Sequence, residues 1–117
     1  MYKQDCVFCK ISKGEIKNKR IYENDNFFSV FDINPKTEGH CLIISKKHYE
    51  NVLDMPETLG QELIDAIKKT VELLRKEHDF DGFNIINNNF EAAGQVVKHV
   101  HFHILLRKKN DGLEMIA

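Results

Sequence analysis

Three of the six histidines alternate with apolar residues between Lys98 and Leu106, at His99, His101 and His103. Alternation of this kind is the period of a β-strand, because successive side chains of a strand point to opposite faces of the sheet. The run therefore predicts a strand with a row of imidazoles on one face, at steps of about 7 Å, and apolar side chains on the other. Because imidazole titrates near neutral pH and also ligates metals, this row is the candidate functional site.

Size and charge limit what the chain can be. Its 117 residues, 42% of them hydrophobic, are enough for one core and too few for two ordinary domains, so we expect a single domain over residues 1–117. The 17 basic and 18 acidic side chains nearly cancel, which argues against nucleic acid or an anionic membrane as a partner. The sequence shows neither the roughly 20 apolar residues of a membrane span nor a secretory signal pattern, so we expect a cytoplasmic protein.

Apolar periodicity predicts an α+β domain. Apolar residues recur at intervals of three and four between Pro56 and about His78, which is the pattern of one long amphipathic helix. Runs rich in β-branched and aromatic residues, separated by turn formers, predict five strands. These strands are Arg20–Glu23, Phe27–Phe31, His40–Ile44, Phe83–Asn87 and Lys98–Leu106. Because strands and helix do not alternate regularly, we expect a mostly antiparallel sheet.

The residues just before the histidine row indicate an anion site. Asn88, Gly94 and Gln95 supply amide donors and a flexible backbone beside the imidazoles. Such donors stabilise the charge that builds on the oxygens of a phosphoryl centre, while a neutral imidazole can attack the phosphorus. This nucleophile needs its second ring nitrogen to donate to a fixed acceptor, such as a backbone carbonyl. Metal binding is the alternative, although one ion can reach only two histidines of a straight strand.

The C-x-x-C pair Cys6 and Cys9 is half of a common tetrahedral zinc site, which His48 and His99 can complete. In that arrangement the metal would support folding rather than chemistry. A thioredoxin-like redox pair is disfavoured because no βαβ pattern surrounds the cysteines, and two ordinary core cysteines are the remaining alternative. His40 has two readings as well: a supporting role near the histidine row, or an ordinary histidine at a strand edge.

The run Gly94–Leu106 resembles the histidine triad motif, in which histidines alternate with apolar residues. The resemblance covers nearly the whole chain, since it extends to Cys6–Ile11, Phe31–Pro35, Gly39–Ile44 and Lys47–His48. It implies a nucleotide hydrolase or transferase that cleaves purine nucleoside phosphoramidates, aminoacyl adenylates or similar conjugates through a nucleotidyl-histidine intermediate. It also implies a homodimer in which two sheets join across a two-fold axis, with the helix at the interface.

The resemblance further assigns roles residue by residue. It makes His101 the nucleophile. Phosphate oxygens would be held by His103, Asn88 and the amides around Gly94, Gln95 and Val96. The purine nucleotide would lie against Phe8, Ile11, Phe31, Ile33 and Leu42, with Asp32 as the carboxylate on the ribose hydroxyls. Some histidine triad proteins bind zinc through ligands that correspond here to Cys6, Cys9, His48 and His99.

Val96 departs from the family pattern, which often has Ser or Thr directly after the Gly-Gln pair. A hydroxyl at that position contacts the phosphate or the leaving group, whereas valine offers only its backbone N–H. The preferred leaving group is therefore open. Two other functions stand beside the phosphoramidase-like hydrolase: a dinucleoside polyphosphate hydrolase with the same nucleophile, and a zinc-stabilised nucleotide- or partner-binding module with little turnover.

Overall fold

The structure, a computed structural model, describes residues 2–116 as one five-stranded antiparallel sheet with one long helix, which confirms the predicted α+β fold. The strands are β1 (Arg20–Glu23), β2 (Phe27–Phe31), β3 (Cys41–Ser45), β4 (Gly82–Ile86) and β5 (His101–Arg107), in the spatial order β1-β2-β3-β5-β4. The helices are α1 (Val7–Ser12) and α2 (Gly60–Leu74), and 3-10 turns occupy Val52–Asp54, Glu57–Leu59 and Glu91–Ala93. Within the described residues, no helix has the length and apolar character needed to cross a bilayer.

The two faces of the sheet are covered differently. α2 packs on one face and forms the larger core cluster with it; the members include Phe27, Cys41, Ile43, Ala66, Ile67, Val71, Leu74, Phe102 and Ile104. α1 packs on the opposite face, where Phe8 and Ile11 contact β2 and β3 in a smaller cluster. Because α1 is only six residues long, much of this second face stays open, and β5 presents His101 and His103 on it.

Three elements differ from the sequence prediction by more than one residue, while β3 and β4 are each shifted by a single residue. α2 begins at Gly60 rather than Pro56 and ends at Leu74 rather than His78, because a 3-10 turn precedes it and single turns follow it. β5 begins at His101 rather than Lys98, because the backbone bends at residues 97–99, where the His99 N–H donates to the Val97 carbonyl at 2.9 Å. α1 escapes the sequence pattern, since six residues are too few to show a helical period.

Gly39 lies immediately before His40 and has a backbone φ of +83°. A Cβ there would lie 2.7 Å from Leu106 Cδ1, so an alanine would combine a disfavoured conformation with a close contact. We expect Gly39→Ala to lower the free energy of unfolding by about 1–3 kcal/mol, measured by urea denaturation. Gly60→Ala is the control, because a Cβ at that helical position meets nothing within 4 Å. Equal losses in the two variants would contradict the argument.

Candidate active site and metal centre

β5 carries two histidines of the row into one cavity and leaves the third outside it. His101 and His103 line the cavity with ring centroids 5.1 Å apart. His99 precedes the strand, is fully buried and turns its ring toward Cys6 and Cys9 instead. The expectation of a strand that runs through His99 is therefore wrong, because the backbone bends at residues 97–99 and β5 begins at His101. The His99 ring nevertheless lies on the same side of the sheet as His101, since Phe8 packs edge-on against both rings. The row divides into a cavity-lining pair and one buried ring.

His101 has one protonated and one free ring nitrogen. Its Nδ1 lies 2.7 Å from the His99 backbone oxygen, and because a carbonyl only accepts, Nδ1 carries the proton. Its Nε2 therefore holds a lone pair, and within residues 2–116 it has no hydrogen-bond partner. Burial lowers the pKa of His101 below its ordinary value, although the hydrogen bond to His99 acts in the opposite direction. The ring is neutral at pH 7 and has a nucleophilic nitrogen available.

A chain of hydrogen bonds fixes the opposite tautomer in His103. The backbone N–H of Lys36 donates to His40 Nδ1 at 3.0 Å, so the proton of neutral His40 lies on Nε2. That Nε2–H donates to His103 Nδ1 at 3.0 Å, which leaves the proton of His103 on its own Nε2. Burial lowers the pKa of both rings. The two cavity histidines therefore differ: His101 offers a lone pair at Nε2, and His103 offers an N–H donor.

Asp32, His40 and His103 also lie close enough together to be tested as a metal site. Asp32 Oδ2 is 3.5 Å from His40 Nε2. For that Nε2 to bind a cation, the proton of His40 would have to move to Nδ1, where the Lys36 N–H already donates. The Lys36 N–H and the His40 Nδ1–H would then be two donors facing each other, with no acceptor between them. The hydrogen-bond chain explains this cluster, and we assign no metal to it.

The cavity has a volume of about 600 Å³ and an apolar side formed mainly by α1, β2 and β3. All six side chains predicted for the nucleotide line it, namely Phe8, Ile11, Phe31, Asp32, Ile33 and Leu42. Phe8 lies edge-on to His101 with ring centroids 5.0 Å apart. Asp32 accepts the Asn34 N–H at 2.9 Å through one carboxylate oxygen. The structure thus brings the predicted base and ribose residues together with His101 and His103.

Gln95, predicted to bind phosphate, is used inside the protein instead. Its side-chain oxygen accepts the Phe90 N–H at 2.8 Å, and its amide nitrogen donates to the backbone oxygens of Val97, at 3.1 Å, and Glu50. Its backbone N–H donates to the Phe90 carbonyl at 3.1 Å. These bonds hold Phe90 at φ 73° and ψ 155°, a conformation that favours glycine. Gln95 therefore shapes the loop and has no donor left for an anion.

The uncommitted donors lie at neighbouring positions of the same loop. The Gly94 N–H is also engaged, since it donates to the Glu91 carbonyl at 2.9 Å. In contrast, the Asn88 side-chain amide and the backbone N–H groups of Val96 and Val97 donate to no acceptor within residues 2–116. All three of these residues line the cavity, together with Gly94. The structure thus gathers uncommitted donors of Asn88, Val96 and Val97 on one side of the cavity, whereas Gln95 and the Gly94 amide are engaged within the protein.

Cys6, Cys9, His48 and His99 form one cluster, with all four ligand atoms within 4.8 Å of one another. Cys6 Sγ lies 3.3 Å from His99 Nδ1, and Cys9 Sγ lies 3.4 Å from His48 Nδ1. Sulfur and nitrogen ligands of one tetrahedral zinc ion are separated by roughly 3.5 Å, given bond lengths of about 2.3 and 2.0 Å. The donor set and its spacing therefore fit zinc.

The surroundings of the cluster also fit a cation. The His99 Nε2–H donates to the Ser45 backbone oxygen at 2.8 Å, so Nδ1, which faces the cysteines, holds a lone pair. Burial raises the pKa of the Cys9 thiol, the backbone N–H of Lys3 acts in the opposite direction, and a bound cation would favour the thiolate further. His48 differs from His99 in this respect, because its Nε2 is buried and has no hydrogen-bond partner within the described residues.

Comparison with known proteins places this chain in the HIT family: the family model "HIT domain" matches residues 13–110, and the chain belongs to that family. An uncharacterized HIT-like protein of Methanocaldococcus jannaschii is 50% identical, over 92% of this chain and 82% of its own length. The matched segment begins after Cys9 and so does not include the two cysteines of the ligand cluster. The geometry of the four side chains is therefore the support for a metal centre.

Two further relatives have names that describe a reaction. Adenylylsulfatase HINT3 of Arabidopsis thaliana is 39% identical over 93% of this chain, which spans 55% of that relative's length. Adenosine 5'-monophosphoramidase HNT1 of Candida albicans is 36% identical over 88% of this chain and 70% of its own. A crystal structure of a Streptococcus mutans protein superposes with a TM-score of 0.90 at 40% identity, covering 98% of this chain and 73% of that one. The family thus includes proteins named as hydrolases of adenylyl compounds.

Stability should depend on pH through His103. Burial, with smaller contributions from the His101 and His40 rings, lowers the pKa of His103 from 6.5 to about 4. The unfolded chain takes up this proton near pH 6.5 and the folded chain only near pH 4, so this contribution to stability is complete above pH 6.5 and is lost as the pH falls to about 4. The urea midpoint of the wild type should fall more steeply over that window than that of His103→Asn. Parallel curves would count against this origin of the pH dependence.

Proposed function

We propose that this protein hydrolyses nucleotide conjugates at the α-phosphorus, with His101 as the nucleophile and a nucleotidyl-histidine as the intermediate. The observation that carries the proposal is the free Nε2 of His101 at a cavity of about 600 Å³, with Nδ1 held by the His99 carbonyl. The proposed substrate class is purine nucleoside phosphoramidates, aminoacyl adenylates and similar conjugates. The names of two relatives, an adenylylsulfatase and an adenosine 5'-monophosphoramidase, support adenylyl sulfate and adenosine phosphoramidate within that class.

The uncommitted donors define where the phosphate would bind. In this proposal the Nε2–H of His103, the Asn88 amide and the backbone N–H groups of Val96 and Val97 hold the phosphate oxygens. These donors are fixed before the substrate arrives, so they stabilise the charge that develops during displacement without a cost of reorganisation. His40 is a positioning residue, because it keeps the His103 proton on the nitrogen that can donate to phosphate.

The nucleoside would occupy the apolar side of the cavity. Phe8, Ile11 and Leu42 form its buried floor, while Phe31 and Ile33 form its exposed edge. An aromatic and aliphatic slot of this kind binds a purine by contact area, since it offers no fixed pattern of donors. Asp32 would accept hydrogen bonds from the ribose hydroxyls.

The reaction would run in two displacements. The lone pair of His101 Nε2 forms a bond to the α-phosphorus, and the leaving group departs with the electrons of its own bond. The ring becomes cationic, and the His99 carbonyl stabilises that charge by accepting the Nδ1–H. Water then attacks the phosphorus, the N–P electrons return to Nε2, a proton passes to solvent and the nucleoside monophosphate is released.

Zinc, where bound, would support the structure and take no part in these steps. Cys6 and Cys9 at the start of α1 would be joined to His48 and to His99 by one ion. The ion would supply folding energy by linking the N-terminal segment to the residues just before β5.

A homodimer is also part of this proposal. β4 is an edge strand of the sheet and exposes Phe83 and Ile85, at 39% and 49% of their surface. α2 exposes Ile64, at 55% of its surface. An unpaired edge beside apolar side chains is the kind of surface that a second sheet covers. Sedimentation at micromolar concentration measures the assembly, and a clean monomer would reject this part of the proposal.

Locating the intermediate tests the function directly. A nucleotide conjugate with an α-phosphorothioate should slow the second displacement, so a quench under alkaline conditions preserves the N–P bond. Peptide mass analysis is expected to place the nucleotidyl group on His101 and to find none on His78, a histidine outside the cavity. Label on any other residue, or steady turnover through a ternary complex without label, would overturn the proposal.

A further inference from the structure

The three imidazoles that line the cavity have no spare proton for a leaving group. His101 is the proposed nucleophile, and its only N–H donates to the His99 carbonyl. His40 donates its N–H to His103. His103 is neutral and keeps one N–H, whose loss would create an imidazolate; it can therefore bind phosphate and cannot act as a general acid at neutral pH.

The two remaining titratable groups of the cavity are Asp32 and Lys36. Asp32 accepts the Asn34 N–H and lies 3.5 Å from His40 Nε2, so it serves as an acceptor rather than as an acid. The backbone of Lys36 contacts His40 on the ring nitrogen opposite to the one that meets His103. The Lys36 backbone therefore lies on the far side of His40 from His103, and Lys36 is the one lysine or arginine among the described residues that line the cavity, so a Lys36 variant is included in the test.

The loop side of the cavity is apolar where a proton donor would be needed. Val96 lines the cavity with 89% of its surface exposed, and Val97 and Ile86 lie on the same side. The polar groups of this loop that remain free are amides, at Asn88 and along the backbone, and amides donate hydrogen bonds without releasing protons at neutral pH. In the first displacement, the leaving group must therefore depart without a proton from a side chain on the loop side of the cavity.

From these observations we infer that the enzyme prefers conjugates whose leaving group departs as a stable anion, namely nucleotidyl mixed anhydrides with sulfate or a carboxylate, over phosphoramidates. This inference rests on the proposed function and narrows its substrate class. Val96 is the residue that sets the preference.

The proton balance of the first displacement explains the preference. When Nε2 of His101 bonds to phosphorus in a mixed anhydride, the P–O electrons leave on sulfate or carboxylate, which is stable without a proton at neutral pH. When the same bond forms in a phosphoramidate, the P–N electrons leave on nitrogen, which must take up a proton as the bond breaks. A positioned acid typically accelerates such a step by about 10²–10⁴-fold, so its absence penalises only the amine.

The test compares adenylyl sulfate with adenosine 5'-phosphoramidate in the full-length protein. We expect wild-type kcat/KM to favour adenylyl sulfate by at least about 100-fold. Val96→Thr adds a hydroxyl with nearly the shape of valine and should reduce that ratio at least tenfold, because the hydroxyl can relay a proton from water to the leaving nitrogen. Val96→Ala is the matched control, since it changes the side-chain volume without adding a donor, and its ratio should stay within threefold of the wild-type ratio.

A series of phosphoramidates gives a second measurement. With amines of decreasing basicity, log kcat should rise steeply in the wild type and less steeply in Val96→Thr, because only the variant offsets a poor leaving group. The same slope in both proteins would overturn the role of Val96.

Other outcomes separate this inference from the proposed function. A wild-type ratio near one, equal ratios in Val96→Thr and Val96→Ala, or a selective collapse of phosphoramidate turnover in Lys36→Met would overturn the inference and leave the function intact. Turnover of neither compound, or unchanged turnover in His101→Ala, would overturn the proposed function as well.

Discussion

Replacement of His101 by alanine is expected to lower kcat/KM by at least about 10⁴-fold, because loss of a covalent nucleophile removes the whole two-step route. Binding of a nucleoside monophosphate should change far less, since the apolar slot, Asp32 and the loop donors all remain. Initial rates and equilibrium binding on the same preparation measure the two effects. A large loss of turnover with retained binding is the result that distinguishes a nucleophile from a residue that only shapes the cavity.

The control for this variant is His78→Asn, which removes a histidine that lies outside the active cavity and contacts Glu38 at 3.3 Å. Its turnover should stay within threefold of wild type. Comparable losses in the two variants would mean that histidine replacement damages the fold in general. Residual turnover above about a tenth in His101→Ala would assign the chemistry to another group, whereas very low turnover in the wild type itself would support a module that binds nucleotides with little catalysis.

The second large effect is expected at the metal centre. Protein purified without a histidine tag should contain about one zinc ion per chain, and Cys9→Ala less than about a tenth of that. We expect the same variant to lose at least about 3 kcal/mol of unfolding free energy, a fraction of the roughly 10–16 kcal/mol that zinc supplies in finger peptides. Elemental analysis and urea denaturation measure the two quantities, and the Tm should fall by roughly 10 °C.

Cys41→Ala is the matched control for the metal, because Cys41 is fully buried in the larger core and belongs to no ligand cluster. It should lose some packing energy and keep its zinc. Wild-type protein with less than about a tenth of an equivalent of zinc, yet full stability and activity, would reject the metal centre. Equal zinc contents in Cys9→Ala and Cys41→Ala would also reject it, because Cys9 would then not be a zinc ligand.

The fold could be predicted largely because its elements are long or strongly patterned. The stripe of α2 shows the helical period over 15 residues. The runs of β2 and β3 are rich in aromatic and β-branched residues and are bounded by turn formers, which favours strands. α1 has only six residues, and the start of β5 depends on a bend that the alternating histidines conceal. Periodicity in the sequence continues through His99, whereas the backbone does not, because the His99 ring is held by Ser45 and lies against the two cysteines.

The candidate site shows where residue types are informative and where contacts decide. Histidines and cysteines at fixed spacing predict clusters that the structure does bring together, because few other roles suit these residues. Gln95 could not be assigned in this way, since an amide serves a loop as well as an anion, and three of its bonds are to the protein backbone. His40 was open for the same reason, and only its distances to Lys36 and His103 give it a positioning role. The cytoplasmic location and the absence of a nucleic-acid partner stay predictions.

His99 links two parts of the molecule through a single residue. Its ring belongs to the cysteine cluster, while its carbonyl accepts the hydrogen bond from the Nδ1–H of His101, the proposed nucleophile. A chelator that removes the ion would leave the His99 ring and backbone less firmly held. The orientation of His101 Nε2 would therefore become less fixed before the sheet unfolds. Inactivation by a chelator should therefore precede any loss of the circular dichroism signal. The rate of the proposed reaction would then depend on the concentration of free zinc around the protein.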